Sequence, residues 1–115
     1  MALGLSKMMD RELREKWITA LRSGQYKQAR NVLVDGNRFS GSISYCCLGV
    51  LLLCDGWNDP ARAHGVIDGQ ELGTSYLRRI GMYSDHHRDL INMNDGRGTH
   101  PHSFAEIADY VESQL

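Results

Sequence analysis

The chain has 115 residues, which is enough for one domain and too few for two. Its formal net charge is -1, so it has no basic field that would draw it to long nucleic acids, and we expect no such partner. No apolar run is long enough to cross a bilayer, and the first residues lack the pattern of a signal peptide. We therefore expect a cytoplasmic protein without a membrane partner, whose three cysteines are reduced thiols.

The first helix is well marked in the sequence. Asp10 is a suitable N-cap residue, and Gly24 is a typical stop at the C-terminal end. Between them apolar residues recur at helical spacing, at Leu13, Trp17, Ala20 and Leu21. Because no such pattern precedes Asp10, we interpret residues 1–9 as a flexible tail and residues 10–115 as the single folded domain.

The next segment predicts a β-hairpin followed by a buried helix. We expect a turn or a short second helix over residues 25–30, and the two strands over residues 32–34 and 43–46. Turn signals lie between the strands, at Asp35-Gly36 and Ser40-Gly41. Residues 47–54 are apolar nearly all round and rich in leucine, so we favour a central helix that ends at Asp55-Gly56. A buried strand over the same residues is the competing interpretation.

The region from residue 57 to residue 102 is the most irregular part of the sequence. Residues 57–73 are rich in Gly and Asp and predict a loop that a buried Trp57 indole anchors. The expected elements are, in order, a small hairpin around Asp68-Gly69, a short helix capped by Thr74 or Ser75 and ended by Gly81, a short element over residues 89–93, and a loop over residues 94–102.

The last helix has the clearest local chemistry. Ser103 and Glu106 predict a capping box, in which each side chain accepts a hydrogen bond from the other residue's backbone amide. Its apolar stripe consists of Phe104, Ile107, Ala108 and Val111. Together the elements predict a small single α+β domain, in which N-terminal, central and C-terminal helices pack with a small antiparallel β-hairpin.

The adjacent thiols Cys46 and Cys47 stand just before the central helix. A helix N-terminus lowers the pKa of a thiol, so one of them could act as a nucleophile. The later histidines offer candidate bases for a small cysteine hydrolase, namely His86, His87, His100 and His102. The alternative is that both thiols are small core residues. We favour the core interpretation and expect no enzyme.

The same four histidines, together with the three cysteines, also raise the question of a zinc site. Their spacing matches no established ligand pattern, because His86 and His87 are adjacent and His100 and His102 flank a proline in a loop. We therefore interpret them as solvated loop residues, and we expect no bound metal and no cofactor.

Two polar segments are candidates for binding a ligand. The segment after the first helix supplies cations, an amide and an aromatic ring, which suit a phosphate and a stacked base. The segment Asn94-Asp95-Gly96-Arg97-Gly98 precedes a helix N-terminus, where free amides favour an anion, although the capping box already uses some of them. The candidate lining residues are Arg22, Tyr26, Lys27, Gln28, Arg30, Tyr45, Asn94, Asp95 and Arg97.

Four segments in combination resemble a family of small proteins encoded by tailed bacteriophages and prophages. They are WITALRSGQYKQ at residues 17–28, YCCLGVL at residues 45–51, MND at residues 93–95 and SFAEIADY at residues 103–110. The chain departs from the family pattern at residues 29–31 and 51–55, and its loop before Ser103 is longer.

The resemblance implies a phage accessory protein made in the cytoplasm of the bacterial host. Such proteins often counter host defence, and some sequester nucleotide messengers of bacterial immunity, such as cyclic oligonucleotides or cyclic ADP-ribose derivatives, without turnover. We therefore expect a small nucleotide-type ligand and a homo-oligomer. A second hypothesis is a protein-binding inhibitor of a host enzyme, which predicts an exposed apolar patch between Trp57 and Tyr83.

Overall fold

The computed structural model describes residues 9–36, 43–58, 60, 67–68 and 71–115, and over these residues the chain folds as one α+β domain. Its helices are α1 (Arg11–Arg22), α2 (Cys47–Cys54), α3 (Thr74–Ile80), α4 (Ser84–Asp95) and α5 (Phe104–Gln114). Its strands are β1 (Lys27–Gln28), β2 (Val34–Asp35), β3 (Ser44–Tyr45), β4 (Ile67–Asp68) and β5 (Glu71–Leu72). The fold class predicted from the sequence is confirmed.

The larger sheet has three strands in the order β1-β3-β2. Strands β2 and β3 pair antiparallel, as the predicted hairpin requires, although the Ser40-Gly41 turn lies outside the described residues. Strand β1 pairs parallel with β3, and the backbone amide of Ala29 donates to the Tyr45 carbonyl at 2.8 Å. The expectation of a turn or short helix over residues 25–30 is wrong at β1, because a long-range pairing that no local pattern reveals extends the chain there.

The central helix α2 lies between α1 and α4. It is confirmed as a helix rather than a strand, and Cys47, Val50 and Leu51 are fully shielded from solvent. The indole Nε1 of Trp17 donates to the Cys47 carbonyl at 2.9 Å, so α1 is fixed against the start of α2 by a buried hydrogen bond. Gly49 lets α2 approach the strand region closely, because a Cβ there would lie 2.5 Å from the Leu33 carbonyl oxygen.

Helix α1 begins as predicted, since the Asp10 carboxylate accepts the Leu13 amide at 3.1 Å. Met9 was assigned to the tail in the sequence analysis, yet it is only 5% exposed and packs in the core. Residues 1–8, the rest of the proposed tail, lie outside the described residues. Packing in the described part of the chain thus starts at Met9.

The region from Trp57 to the end of α4 departs from expectation in its details. Strands β4 and β5 pair antiparallel, as the predicted small hairpin requires, although Gly69 lies outside the described residues. Trp57 is half-buried against the core rather than enclosed. The N-cap of α3 is Gly73, not Thr74 or Ser75, and Gly81 ends that helix with a φ of +80° as expected.

Helix α4 runs from Ser84 to Asp95, well beyond the short element expected over residues 89–93. Asn94 and Asp95 therefore belong to a helix and not to a loop. Its buried face consists of His87, Leu90 and Asn94. The periodicity of apolar residues does not reveal this buried face, because two of its three residues are polar.

Helix α5 begins with the predicted capping box. The Ser103 hydroxyl accepts the Glu106 amide at 3.2 Å, and the Glu106 carboxylate accepts the Ser103 amide at 2.9 Å. The predicted apolar stripe of α5 is buried, and the helix packs against α1. Among the described residues, no helix has both the length and the apolar character needed to cross a membrane.

Candidate functional site

The fold brings together the two polar segments that the sequence analysis singled out, at the C-terminal end of α4. The guanidinium of Arg30 donates to the Asn94 backbone carbonyl, and the amide of Gln28 donates to the Asn94 side-chain oxygen at 2.9 Å. The backbone amide of Asn31 donates to a carboxylate oxygen of Asp95 at 2.7 Å. Residues more than sixty positions apart thus form one connected polar network.

Asn94 is the centre of this network, and its side chain is only 1% exposed. Its oxygen also accepts the backbone amide of Cys47 at 3.1 Å, while its nitrogen donates to the Ala29 carbonyl at 2.8 Å and to Asp95 at 2.9 Å. An asparagine side chain has two donor hydrogens and one oxygen acceptor, and here all are used. Asn94 therefore joins β1, α2 and α4, and it is not available to a ligand without breaking these bonds.

Gln28 and Arg30 act as supports of the same region. Gln28 donates a second hydrogen bond, at 2.9 Å, to the His102 carbonyl, and the His102 amide donates to the Met93 carbonyl at 2.8 Å. The His102 amide and Arg30 thus satisfy the Met93 and Asn94 carbonyls in the last turn of α4, where carbonyls have no partner within the helix. The segment after β1 thereby fixes both the end of α4 and the loop that follows it.

A cavity of about 340 Å³ lies beside the network, between the start of α2 and the end of α4. Val32, Leu48 and Ile91 give it apolar walls. Its polar lining comes from Asn31, Glu71, Asn94, Asp95 and Arg97. The cavity therefore combines apolar surface with a few polar groups, as small-molecule sites do.

Asp95 and Arg97 are the charged pair of the cavity. One Asp95 oxygen is occupied by the amides of Asn31 and Asn94, while the other lies 3.7 Å from a guanidinium nitrogen of Arg97. The side chain of Asp95 is 8% exposed and that of Arg97 is 60% exposed. Asp95 is thus held in place, whereas the Arg97 guanidinium is loosely paired and reaches solvent. Asn31 adopts a φ of +68° where it meets Asp95.

The two thiols border the cavity, but they are not activated. Burial raises the pKa of the Cys46 thiol to about 11 and raises the pKa of Cys47 well above its ordinary value. Cys46 accepts the Gly49 amide as the N-cap of α2, and Cys47 donates to the Leu90 carbonyl. Among the described residues, then, neither thiol has a histidine as its hydrogen-bond partner.

Six of the nine predicted lining residues do not line the cavity, and two of these six, Gln28 and Arg30, belong to the adjoining polar network. Arg22 pairs with Asp109 at 2.8 Å and with Glu112 at 3.1 Å on α5, and these hydrogen bonds raise its pKa. The rings of Tyr26 and Tyr45 pack edge to face, with centroids 6.1 Å apart, and Lys27 is exposed on β1. The structure therefore brings together Gln28, Arg30, Asn94, Asp95 and Arg97, and it places the other four candidates elsewhere.

The four candidate histidines occupy three different environments. His87 is buried, its Nε2 accepts the Leu72 amide at 3.2 Å, and burial lowers its pKa. His86 lies between the rings of Tyr83 and Tyr110. His100 and His102 stack on each other and lie beside Glu106, so that one ligand atom from each of the three residues falls within 4.8 Å of the others.

Three residues of this region have a role that the sequence patterns did not predict. Asn31 and Glu71 line the cavity although neither belongs to a recognisable motif. Glu106 was assigned only a capping role, yet it also faces the two stacked histidines. A capping box does contain this signal, because it folds the N3 side chain back towards the residues that precede the cap.

A family model described as a domain of unknown function, DUF8296, matches residues 9–62. The match thus spans α1, the three-stranded sheet and α2, and it ends before α4. No curated protein matches the chain. No solved structure matches it either.

Proposed function

We propose that this chain is a phage accessory protein that counters host defence by binding a nucleotide-derived immune messenger in the cavity beside Asn94. The messenger is of the cyclic oligonucleotide or cyclic ADP-ribose type and is held without turnover, in the cytoplasm of the bacterial host. The single observation that carries the proposal is the cavity that lies beside the network in which the two distant polar segments meet. The phage origin is supported by the four sequence segments that carry the resemblance.

The walls of the cavity suit one nucleoside unit. Its volume of about 340 Å³ is near the lower end of the roughly 300–1,000 Å³ range of small-molecule sites. The apolar side chains of Val32, Leu48 and Ile91 can cover a base. The second oxygen of Asp95 can accept from a ribose hydroxyl or an amino group, and the exposed Arg97 can turn to a phosphate.

A ligand larger than one nucleoside unit would extend out of a cavity of this size. A cyclic oligonucleotide carries two or more such units, so its remaining units would need a second cavity. We therefore propose that a homo-oligomer holds the messenger, with each copy of the chain binding one unit.

The state of the thiols supports the proposal of binding without turnover. A thiol whose pKa is about 11 carries almost no thiolate near neutral pH, and the thiolate is the nucleophilic form. The charged side chains that line the cavity are one arginine, Arg97, and two carboxylates, Glu71 and Asp95. This set favours recognition of a ligand over attack on it.

A thermal-shift screen of the pure protein against cyclic oligonucleotides and NAD-derived messengers tests the proposal, with mass spectrometry of the recovered ligand. We expect one compound to raise the unfolding temperature and to be recovered unmodified. The Arg97→Gln variant should weaken that binding by about tenfold or more, because it removes a charged donor. Arg88→Gln is the matched control, since Arg88 is an exposed arginine on α4 that pairs with Asp85, and it should bind as the wild type does.

Two outcomes would overturn the proposal. If no compound in the panel shifts the unfolding temperature, the cavity does not serve this ligand class. If a compound binds but is recovered chemically changed, the protein is an enzyme, and the hydrolase interpretation of Cys46 and Cys47 must be taken up again.

A second candidate function rests on a groove at the end of α3. It has a volume of about 320 Å³, and its apolar lining includes Leu77, Met82 and Tyr83. Tyr83 is 56% exposed, and among the described residues it is the large hydrophobic side chain that the fold leaves uncovered. Aromatic residues of this kind are enriched in protein interfaces. The groove lies in the region where the inhibitor hypothesis predicts an apolar patch.

As the second candidate function, we propose that a host defence protein binds in this groove. This proposal predicts that Tyr83→Ser abolishes a stable complex recovered from host lysate, while Arg97→Gln leaves the complex intact. Loss of the complex in both variants, or in neither, would contradict docking at the groove. Because the two variants lie at separate sites, one pair of experiments separates the two candidate functions.

A further inference from the structure

We propose that His100, His102 and Glu106 form a binding site for a divalent transition-metal ion, most closely matched by Zn²⁺. The three residues lie at the junction between the α4–α5 loop and the first turn of α5. This inference is independent of the proposed nucleotide site. It reverses the expectation from the sequence alone, in which His100 and His102 are solvated loop residues without a metal.

The geometry is close to that of a three-ligand site. One potential ligand atom from each residue lies within 4.8 Å of the others, and the Nε2 atom of His100 is 3.8 Å from Oε2 of Glu106. Ligands on a tetrahedral Zn²⁺ at about 2.1 Å are roughly 3.4 Å apart. The side chains therefore need to close by about 1.5 Å or less, which exposed side chains can do by small rotations.

The backbone holds His102 ready for this role. Its amide donates to the Met93 carbonyl at 2.8 Å, and its carbonyl accepts from Gln28 at 2.9 Å. Pro101 packs so closely on Gly96 that a Cβ at Gly96 would lie 3.0 Å from the proline ring. The loop that carries both histidines is therefore fixed to the end of α4, which reduces the entropy lost when a metal binds.

Two of the side chains keep a potential ligand atom that forms no hydrogen bond with a described residue, namely Nδ1 of His102 and Oε2 of Glu106. The rings of His100 and His102 stack with centroids 4.2 Å apart, and one nitrogen of each ring lies within 4.8 Å of the other. Nδ1 of His102 is buried, and no described residue forms a hydrogen bond with it. The ring can therefore turn towards a metal without losing a bond at that atom. Glu106 uses Oε1 for the Ser103 amide and keeps Oε2 for a ligand.

The donor set selects the class of ion. Two imidazoles and one carboxylate suit Zn²⁺ and neighbouring transition metals, whereas Mg²⁺ and Ca²⁺ prefer sites made of oxygen ligands. Three protein ligands leave the fourth tetrahedral position to water. We therefore expect binding of one Zn²⁺ per chain and no binding of Mg²⁺ at this site.

A competition titration of the metal-free 115-residue protein with Zn²⁺ and a chromogenic chelator tests the inference. We expect one equivalent to bind, with His100→Gln and Glu106→Gln each weakening the affinity at least about tenfold. Glu106→Gln is informative because a glutamine at N3 can keep the capping box while it loses the carboxylate. His86→Gln is the matched control and should bind Zn²⁺ as the wild type does.

We expect the His100→Gln variant to fold, because His100 is exposed and its replacement disturbs no described hydrogen bond. Unfolding curves recorded in EDTA check that each variant folds. The inference is overturned if the wild type binds no stoichiometric Zn²⁺. It is also overturned if the His100→Gln variant, folded as the wild type is, binds Zn²⁺ with unchanged affinity, because the metal must then lie elsewhere.

Discussion

Replacing Asn94 with alanine should destabilise the protein strongly, although the position lies near a helix end and in a polar context. The substitution removes all four side-chain hydrogen bonds of Asn94, three of which connect α4 to β1, to Ala29 and to α2. The backbone contact from Arg30 remains, because it is made to the Asn94 carbonyl. The effect therefore isolates the side chain, which is 1% exposed in the folded protein.

The magnitude follows from the partners that are left behind. The Cys47 amide and the Ala29 carbonyl lose their bonds to Asn94 at buried positions. A buried polar group without a partner costs about 1–3 kcal/mol, so the two together cost about 2–6 kcal/mol. Because the adjacent cavity can admit water to part of this space, we expect the free energy of unfolding to fall by about 2–4 kcal/mol.

Urea unfolding followed by circular dichroism measures this change. Asn92→Ala is the matched control: it removes the same side chain from the same helix, and the structure describes no hydrogen bond from that side chain. It should cost no more than about 0.5 kcal/mol. If Asn94→Ala lowered the free energy of unfolding as little as the control does, Asn94 would not be the centre of the network, and the reasoning would be refuted.

Three further predictions concern stability. Gly49→Ala should cost at least about 1–3 kcal/mol in urea unfolding, because the new Cβ would lie 2.5 Å from the Leu33 carbonyl oxygen, and a cost near zero would contradict the close approach. Ser103→Ala should cost about 1 kcal/mol by removing the cap hydroxyl, whereas Ser103→Thr should restore most of it. Burial lowers the pKa of His87 in the folded protein, so His87 takes up a proton more readily in the unfolded chain. The free energy of unfolding therefore falls as the pH drops through about 6.5, the pKa of His87 in the unfolded chain. His87→Gln should flatten that slope of stability between about pH 7 and pH 5.5, and an unchanged slope would show that His87 does not contribute.

Local chemistry was enough to predict several elements. The Asp10 cap, the Ser103–Glu106 capping box and the leucine-rich run of α2 each act within a few residues, and the structure confirms all of them. The antiparallel pairing of β2 with β3 could also be predicted, because turn signals and apolar strands stand next to each other in the sequence.

Elements that depend on long-range contacts could not be predicted from the local sequence. Strand β1 exists because it pairs with β3, and the length of α4 depends on a buried face that includes His87 and Asn94. A polar residue becomes a core residue only when distant groups satisfy its hydrogen bonds, as Gln28 and Cys47 do for Asn94. Sequence periodicity contains no information on such partners.

The candidate site was predicted in part for the same reason. The residue types of both polar segments indicated recognition chemistry, and the fold does bring Gln28 and Arg30 to the end of α4. Arg22 carried the same charge but lies opposite two carboxylates of α5. Which arginine reaches the end of α4 and which faces a carboxylate depends on helix packing, and that packing could not be predicted from the local sequence.

Amide chemical-shift mapping of the isotope-labelled protein, titrated with cyclic oligonucleotides and NAD-derived messengers, tests the central claim most directly. The account predicts that one compound moves the signals of the cavity residues, above all Asn31, Leu48, Asp95 and Arg97, and is recovered unmodified. If no compound moves these signals, or if the moved signals cluster around Tyr83 instead, the cavity beside Asn94 is not the binding site and the proposal of a nucleotide-sequestering protein fails.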